Sequence, residues 1–393
     1  MKKLILIMII LLCFLTGCVA ALPEAPEAAA ETAVYKHWRD FVAANPSRTL
    51  GTDGEKEAAD YLKSKFESFG YEAEARKFEF LEETESQNVI AKKPSVNAKQ
   101  VIIGAHYDSY GGGEGAFDNG SGIAVLLTLA EKLFAETLPF DVVFVAFGAE
   151  ELGLYGSERY VSQMSKAEKD STLLMINIDV VGFGDFNYVY GEDVSNPQEK
   201  FFVEISKNLP NPVRKMPAGK GSVIGGTSDH TRPYYNTGHA TDGFAFLKAG
   251  IPCATFFSGN LSSGYFGYVQ TINAKNGVVQ NVMHTKDDTV KYVEDNFKDE
   301  FCRNLETVTT TIFNGITDEN FTKSMENARK SIISAFWFDR LFSYLILLGL
   351  AVLVALSGFT YYRKLQKKTC LAPPEIRQRT VQKPPAEDVF GDF

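Results

Sequence analysis

Histidine and carboxylate recur in five short segments, each at the end of an apolar run: GAHYDS at 104–109, GAFDNGSG at 115–122, GAEELG at 148–153, INIDVVG at 176–182 and VMHTKDD at 282–288. They deliver His106, Asp118, the adjacent pair Glu150 and Glu151, Asp179 and His284. Two divalent metals a short distance apart need four or five protein ligands, one carboxylate bridging, so that a water can be held and deprotonated between them. Mixed sets of imidazole and carboxylate suit zinc. A lone pair such as His106 and Asp108 would carry little weight, because histidine is commonly a satisfied core or surface residue; five segments together weigh far more. Of the five histidines, His106 and His284 are the natural nitrogen ligands. His37 reads as structural, on a solvated N-terminal helix.

Positioning such side chains in one cleft requires strands that end there. VIIGA at 101–105 precedes His106, VVFVAFGA at 142–149 precedes Glu150 and LLMINI at 173–178 precedes Asp179, all reading as buried strands. In open α/β sheets functional groups gather where strands end. The pattern predicts a helix over 55–69 with Ala58, Ala59, Tyr61, Leu62 and Phe66 on one face and Gly70 as terminator. Strands follow at 71–80, 88–91 and 101–105, then a mostly buried helix at 122–136 opening after DNGSG. A second round holds strand 141–148, helix 153–163, strands 172–180 and 186–190, and helix 197–208. Residues 209–241, with GTSDH at 226–230, and 259–281 read as long loops, which in compact domains are usually functional. They flank strand IPCATFF, and a terminal helix at 289–314 closes the domain. The expected fold is α/β: a single three-layer domain over 34–315 whose mostly parallel mixed sheet is covered by helices.

A chain of 393 residues with 45% hydrophobic content can bury a large core, and its net charge of −9 argues against nucleic acid as a partner. Basic clusters occur only near the two ends, which points to a membrane. Met1-Lys2-Lys3 followed by an apolar run to Leu15 is a secretory signal, expected over 1–17. LTGC at 15–18 resembles the lipobox of bacterial lipoproteins, which would put a lipid on Cys18; ordinary cleavage near Ala20-Ala21 is the alternative. A tether at 18–33 precedes the domain, and a stalk at 316–340 follows it. Leu341 to Tyr362 is uncharged over 22 residues, enough at about 1.5 Å per residue to cross a hydrocarbon core of about 30 Å. The basic flank Arg363 to Lys368 and the aromatic belt Phe336-Trp337-Phe338 place the tail at 363–393 in the cytoplasm and the domain outside. Two anchors are redundant, which is the reason to doubt the lipid. Cys253 and Cys302 would face an oxidising space and could pair, although Cys253 reads as a buried strand residue.

The five segments resemble those of the secreted bacterial di-zinc aminopeptidases, in the superfamily that also holds glutaminyl cyclases and glutamate carboxypeptidases. The resemblance covers about residues 35–315. It implies two zinc ions, one held by His106 and Asp179, the other by Glu151 and His284, with Asp118 bridging. Glu150 is then the general base, since adjacent residues leaving a strand point to different sides and can divide their roles; taken alone, Glu150-Glu151-Leu152-Gly153 would read as an acidic helix start. Asp108 corresponds to a carboxylate that accepts the other ring proton of His106, Asp287 or Asp288 does likewise near His284, and the Asp118-Asn119 peptide is cis. Ser228-Asp229-His230 resembles a family segment beside the cleft, or is a helix cap. One departure is Met283, where some members carry a tyrosine that stabilises the oxyanion; stabilisation would then come from zinc or another donor, such as a tyrosine of the 259–268 loop.

The implied activity is removal of N-terminal residues from peptide substrates. A carboxypeptidase would need a cationic clamp, for which Arg214, Lys215, Lys220 and Arg232 are candidates. A glutaminyl cyclase would line its pocket with tryptophan, whereas Trp38 and Trp337 lie outside the five segments. A non-catalytic, receptor-like ectodomain should show broken ligands, and all five are present.

Overall fold

A computed structural model describes residues 32–80, 84–93, 97–184, 186–191, 197–216, 241–259, 271–272, 279–280 and 282–370. The signal, the LTGC segment and the tether up to residue 31 lie outside the described residues. So do Lys220, Ser228-Asp229-His230, Arg232, His239 and the loop at 260–270.

Helices α1 (Ala33–Ala44) and α2 (Asp53–Ser68) lead into strands β1 (Glu72–Phe80), β2 (Thr84–Lys92) and β3 (Gln100–His106). Helix α3 (Gly120–Leu133), strand β4 (Asp141–Phe147), helices α4 (Tyr155–Gln163) and α5 (Lys166–Ser171) and strand β5 (Thr172–Ile178) come next. Strand β6 (Phe186–Tyr190), helix α6 (Pro197–Ser206), strand β7 (Arg214–Lys215), helix α7 (Gly243–Lys248) and strand β8 (Cys253–Gly259) complete the main sheet. The short β9 (Thr271–Ile272) and β10 (Val279–Gln280) pair with each other, and helices α8 (Val290–Thr317) and α9 (Phe321–Cys370) follow.

The eight strands lie in the order β1-β2-β4-β3-β5-β8-β6-β7. Its centre, β4-β3-β5-β8, is parallel, and antiparallel partners flank it on both sides. These four strands are buried along their whole length, as strands covered on both faces must be. Their side chains alternate with period two. Ile102, Val143, Val145, Phe147 and Met175 pack under α4 and α7, while Val101, Ile103, Phe144, Leu174 and Ile176 pack under α1, α3 and α8. The single α/β domain expected from the sequence is the fold observed.

This order decides where a site can form. The chain leaves β3 to reach β4 on one side and later β5 on the other, so the crevice beyond the C-terminal end of β3 is a topological switch point. The parallel register aligns His106 with Phe147 and Gly104 with Asn177. The tips of three strands therefore open into one place.

Several features depart from the sequence expectation. Strand β2 starts at Thr84 and pairs with β1 along its whole length; its polar half, TESQN, hides it from a search for apolar runs. Helix α5 rests on a capping box between Ser165 and Glu168 and is too short to show helical periodicity. The expected stalk at 316–340 is helical, and Phe321, Met325 and Ala328 are fully buried, an i, i+4, i+7 stripe that carries the packed unit to Arg329. Helix α9 also contains Tyr344–Lys367, 24 residues of mean hydropathy 2.1, long and apolar enough to cross a membrane. Cys253 and Cys302 form no disulfide; they pack in the clusters on opposite faces of the sheet. His37 is nearly buried rather than solvated, its Nε2 3.0 Å from Glu131 and its ring edge-on to Phe69.

Glu55, in the first turn of α2, is buried against β2. Ser86 Oγ donates to one carboxyl oxygen and the Gly51 amide to the other, both at 2.6 Å. Burial nevertheless pushes this carboxyl up to about 7. The folded chain therefore holds a proton that the unfolded chain has released, so the contribution to stability is full in acid and declines as pH rises from about 4.5 to 7. The loss amounts to about 3 kcal/mol. Glu55→Gln removes the charge, its amide oxygen still accepting from Gly51 and its NH2 donating to Ser86 Oγ in reversed direction, and is expected to flatten the fall in urea midpoint between pH 5 and pH 8. An unchanged pH dependence in the variant would contradict this assignment.

Candidate metal centre

His106 ends β3, Asp179 follows β5 directly, and Glu150 and Glu151 follow β4 after two residues. Asp118 immediately precedes Asn119, the N-cap of α3, and His284 lies in the turn before α8. His106 Nε2 stands 3.2 Å from Asp118 Oδ1 and 3.3 Å from Asp179 Oδ1. His284 Nε2 stands 3.0 Å from Asp118 Oδ2 and 3.0 Å from Glu151 Oε2. Two ligand clusters result, His106-Asp118-Asp179 and Asp118-Glu151-His284, each with its donor atoms within 4.8 Å of one another. Asp118 belongs to both and gives one oxygen to each.

The donor set suits cations. Each imidazole nitrogen faces oxygens of two different carboxylates, although it carries at most one proton to share between them. Among the described residues Glu151 Oε1 is buried without a hydrogen-bond partner, an expensive state for a carboxylate oxygen unless a positive charge meets it. The crowding also shifts protonation. Burial works against charging His284, yet contact with Asp118 and Glu151 lifts it to about 10. Burial, with Asp118 adding, pushes Glu151 up to about 7. Burial would likewise raise Asp118, but both imidazoles hold it below the usual carboxylate range. Positive charge between these groups is what the arrangement calls for, and the residues fit a pair of divalent metals.

Glu150 is not in either cluster. It is buried, and burial together with the charges of Asp179, Asp242 and Glu151 raises its carboxyl well above the usual range, against the pull of His106. The Glu150 and Glu151 amides donate to the two carboxylate oxygens of Asp108, at 3.0 and 3.2 Å. His106 Nδ1 is 3.3 Å from the Asp108 carbonyl but 3.7 Å from its carboxylate, beyond hydrogen-bond range. The Asp108 side chain thus holds the Glu150-Glu151 backbone, while its main chain stands nearer the imidazole. Asp288 acts similarly on the loop opposite, taking the Phe117 amide at 2.6 Å and the Asp118 amide at 3.1 Å.

The Asp118-Asn119 peptide is cis. Asn119 then joins two site segments: its Oδ1 accepts from the Gly122 and Val180 amides, at 2.9 and 3.1 Å, and its Nδ2 donates to the Ile178 carbonyl at 2.9 Å. Gly122 permits this approach, because a Cβ there would lie 2.4 Å from Asn119 Oδ1 and 2.5 Å from the Ile178 carbonyl. Ala149, Val180 and His284 all adopt left-handed backbone, at φ 59°, 57° and 60°. Such strain in residues other than glycine, of order 1–3 kcal/mol each, persists only where surrounding bonds impose it, and each of the three is a site residue or adjoins one.

Three neighbours carry no signal in the sequence. Arg48 is fully buried, and its guanidinium donates to four backbone carbonyls: Tyr107 at 2.6 Å, Asn45 at 2.7 Å, Glu114 at 2.8 Å and Gly115 at 2.9 Å. It ties together the ends of both loops that carry His106 and Asp118. Asp242, before α7, is 1% exposed; burial, with Asp179 and Asp108 adding and His106 and a hydrogen bond from Ser157 opposing, pushes it up to about 7. Tyr110 stacks on His284. Met283 packs into the main core cluster and contributes no oxyanion donor.

The family model of peptidase family M28 matches residues 88–309, over half of the sequence. The chain belongs to peptidase family M28. The alkaline phosphatase isozyme conversion protein of Escherichia coli (strain K12) is 30% identical over 254 residues, covering 56% of this chain and 70% of the relative. Aminopeptidase YwaD of Bacillus subtilis (strain 168) is 27% identical over 271 residues, covering 65% and 50%. Leupeptin-inactivating enzyme 1 of Streptomyces exfoliatus is 32% identical over 250 residues, covering 62% and 52%. This M28 chain therefore spans about half the length of the last two. Among solved structures, a zinc aminopeptidase from Bacillus subtilis superposes with a TM-score of 0.55 at 18% identity, over 72% of this chain and 95% of that one. The glutaminyl cyclase of Porphyromonas gingivalis superposes with a TM-score of 0.52 at 18% identity, over 72% and 97%. At these identities the likeness is one of fold. The M28 match contains all five ligand candidates and Glu150, whereas Arg48 precedes it.

Proposed function

We propose that this M28 peptidase is a zinc-dependent aminopeptidase that works outside the membrane to which its C-terminal helix anchors it. The observation that carries this is Asp118, whose two oxygens face separate clusters, His106 with Asp179 and His284 with Glu151. Two zinc ions held there would supply Lewis acidity, acidifying a water and polarising the scissile carbonyl. The chain's own part is proton handling and positioning. Glu150 accepts a proton from the attacking water as its oxygen bonds to the carbonyl carbon. It returns that proton to the amine nitrogen as the C–N bond breaks. Asp108 fixes the base by its grip on the Glu150 amide, and Asp288 fixes the shared carboxylate by its grip on the Asp118 amide.

Charge favours attack at the N-terminal end. Six carboxylates, Asp108, Asp118, Glu150, Glu151, Asp179 and Asp242, lie in and around the site, and when ionised they outweigh the charge of two divalent ions, which favours the ammonium end of a peptide over its carboxylate end. Of the clamp candidates for a carboxypeptidase, Arg214 and Lys215 lie on β7, four strands from β3, or roughly 19 Å at strand spacing. Lys215 is paired with Glu199 at 2.9 Å. Trp38 is fully buried, donating to the Ala116 carbonyl at 2.5 Å, so it lines no cyclase pocket. Anchoring and orientation rest on Tyr344–Lys367 and the basic flank after Tyr362.

The test is a panel of aminoacyl reporter peptides, the same peptides with a blocked N-terminus, and carboxyl-terminal reporters, given to the full-length protein before and after chelation. Cleavage confined to free N-termini, abolished by chelator and restored by zinc, is expected. Cleavage of the blocked or carboxyl-terminal reporters would overturn the aminopeptidase assignment.

A further inference from the structure

The two imidazoles at the site are supported unequally. His106 ends a central strand and is 2% exposed. The His284 side chain is 32% exposed and stands in a turn, on left-handed backbone at φ 60°. Its Nε2 edge is taken by Asp118 and Glu151, and a contact with the ring face can hold its plane without competing for that nitrogen.

Tyr110 makes that contact. Its ring stacks on His284 with centroids 4.4 Å apart and planes 15° from parallel. Tyr110 is itself 54% exposed; among the described residues up to Arg329, it and Leu152 are the only exposed large hydrophobic residues. The backbone around it is built to hold that position. The Glu114 amide donates to the Asp288 carbonyl at 2.7 Å, and Glu114 Oε2 accepts from the Val290 amide at 2.9 Å. A Cβ on Gly113 would lie 2.5 Å from the Thr285 carbonyl, so the loop presses directly on the turn that carries His284. Ser109 is tied on the other side, its amide donating to the Arg48 carbonyl at 3.2 Å.

We infer that Tyr110 is a positioning residue that clamps the His284 ring by its face and so sets the affinity of the Glu151-His284 half of the metal site. The inference rests on the zinc reading above. An aromatic face orients a metal-binding imidazole here in the way that a hydrogen-bonded partner orients one elsewhere, and loss of such a partner typically weakens metal binding about 10–100-fold. The ring, not the hydroxyl, does this, so phenylalanine should substitute for tyrosine.

The experiment uses the full-length protein in detergent, with Tyr110→Ala and Tyr110→Phe beside the parent. Zinc affinities are read by chelator competition, and the ring-current shift of His284 is read by NMR in the metal-free protein. Expected are a roughly 10–100-fold weakening of one of two zinc equivalents in the alanine variant, the other unchanged, and parental affinities in the phenylalanine variant. The His284 shift should move in Tyr110→Ala and hold in Tyr110→Phe, at unchanged thermal midpoint. The clamp is overturned if alanine leaves both affinities intact, if both fall together, or if phenylalanine behaves like alanine. A parent that binds no zinc overturns the clamp's metal role together with the zinc reading; an intact parent with an unmoved His284 shift overturns the clamp alone.

Discussion

Glu150→Gln is expected to lower kcat by about 10²–10⁴, the range that a positioned proton-transfer group contributes, with KM and zinc content near the parent's. The side chain keeps its size, and its main-chain amide still donates to Asp108. Only the ability to take a proton is removed. Single-turnover rates on an aminoacyl reporter, together with metal analysis of the same preparations, check this. If the variant cleaves as fast as the parent, Glu150 is not the base. If it loses zinc in parallel with activity, Glu150 is a ligand, at odds with its place outside both clusters.

Arg48→Met is expected to destabilise the fold by at least about 3 kcal/mol and to weaken zinc binding as well. Methionine fills much of the space but leaves the carbonyls of Asn45, Tyr107, Glu114 and Gly115 without their donor, and an unsatisfied buried acceptor costs about 1–3 kcal/mol. Relaxation and entering water keep the total below a simple sum. Burial pushes the guanidinium down to about 10, while Asp288, Asp108, Asp118 and Glu151 hold it up, so it is charged at neutral pH and its removal also unbalances the carboxylates. Arg48→Lys should recover little, because one ammonium cannot reproduce a planar fork spanning four acceptors. An unfolding free energy, from urea titration, within about 1 kcal/mol of the parent's would show that the loops hold their shape without it.

Three of the site segments were legible because each follows a strand whose apolar run is long enough to notice, whereas Asp118 and His284 lie in the segments before α3 and α8. VIIGA, VVFVAFGA and LLMINI announce His106, Glu150 and Asp179 without reference to the rest of the fold. Elements were missed where the signal is not apolar: the polar half of β2, whose partner is β1, and α5, which depends on one capping box. Arg48 is invisible for a different reason. Its partners are main-chain carbonyls, which have no sequence identity, and they come from segments 59 to 67 residues away as well as from its own turn. Asp108 was found, but the burden of its carboxylate was not, since the Glu150 and Glu151 amides it accepts from are again main chain. Tyr110 sits inside HYDSYGGG in plain view. Nothing in that string says that its ring will meet a histidine 174 positions later.

Zinc bound per chain, measured by elemental mass spectrometry on the full-length protein, on Asp118→Ala and on Asp179→Ala, tests the shared-carboxylate site most directly. Two equivalents are expected in the parent, one retained in Asp179→Ala, and loss of both in Asp118→Ala, since that side chain gives an oxygen to each cluster. A single equivalent in the parent, or an Asp118→Ala protein that still holds two, would contradict it.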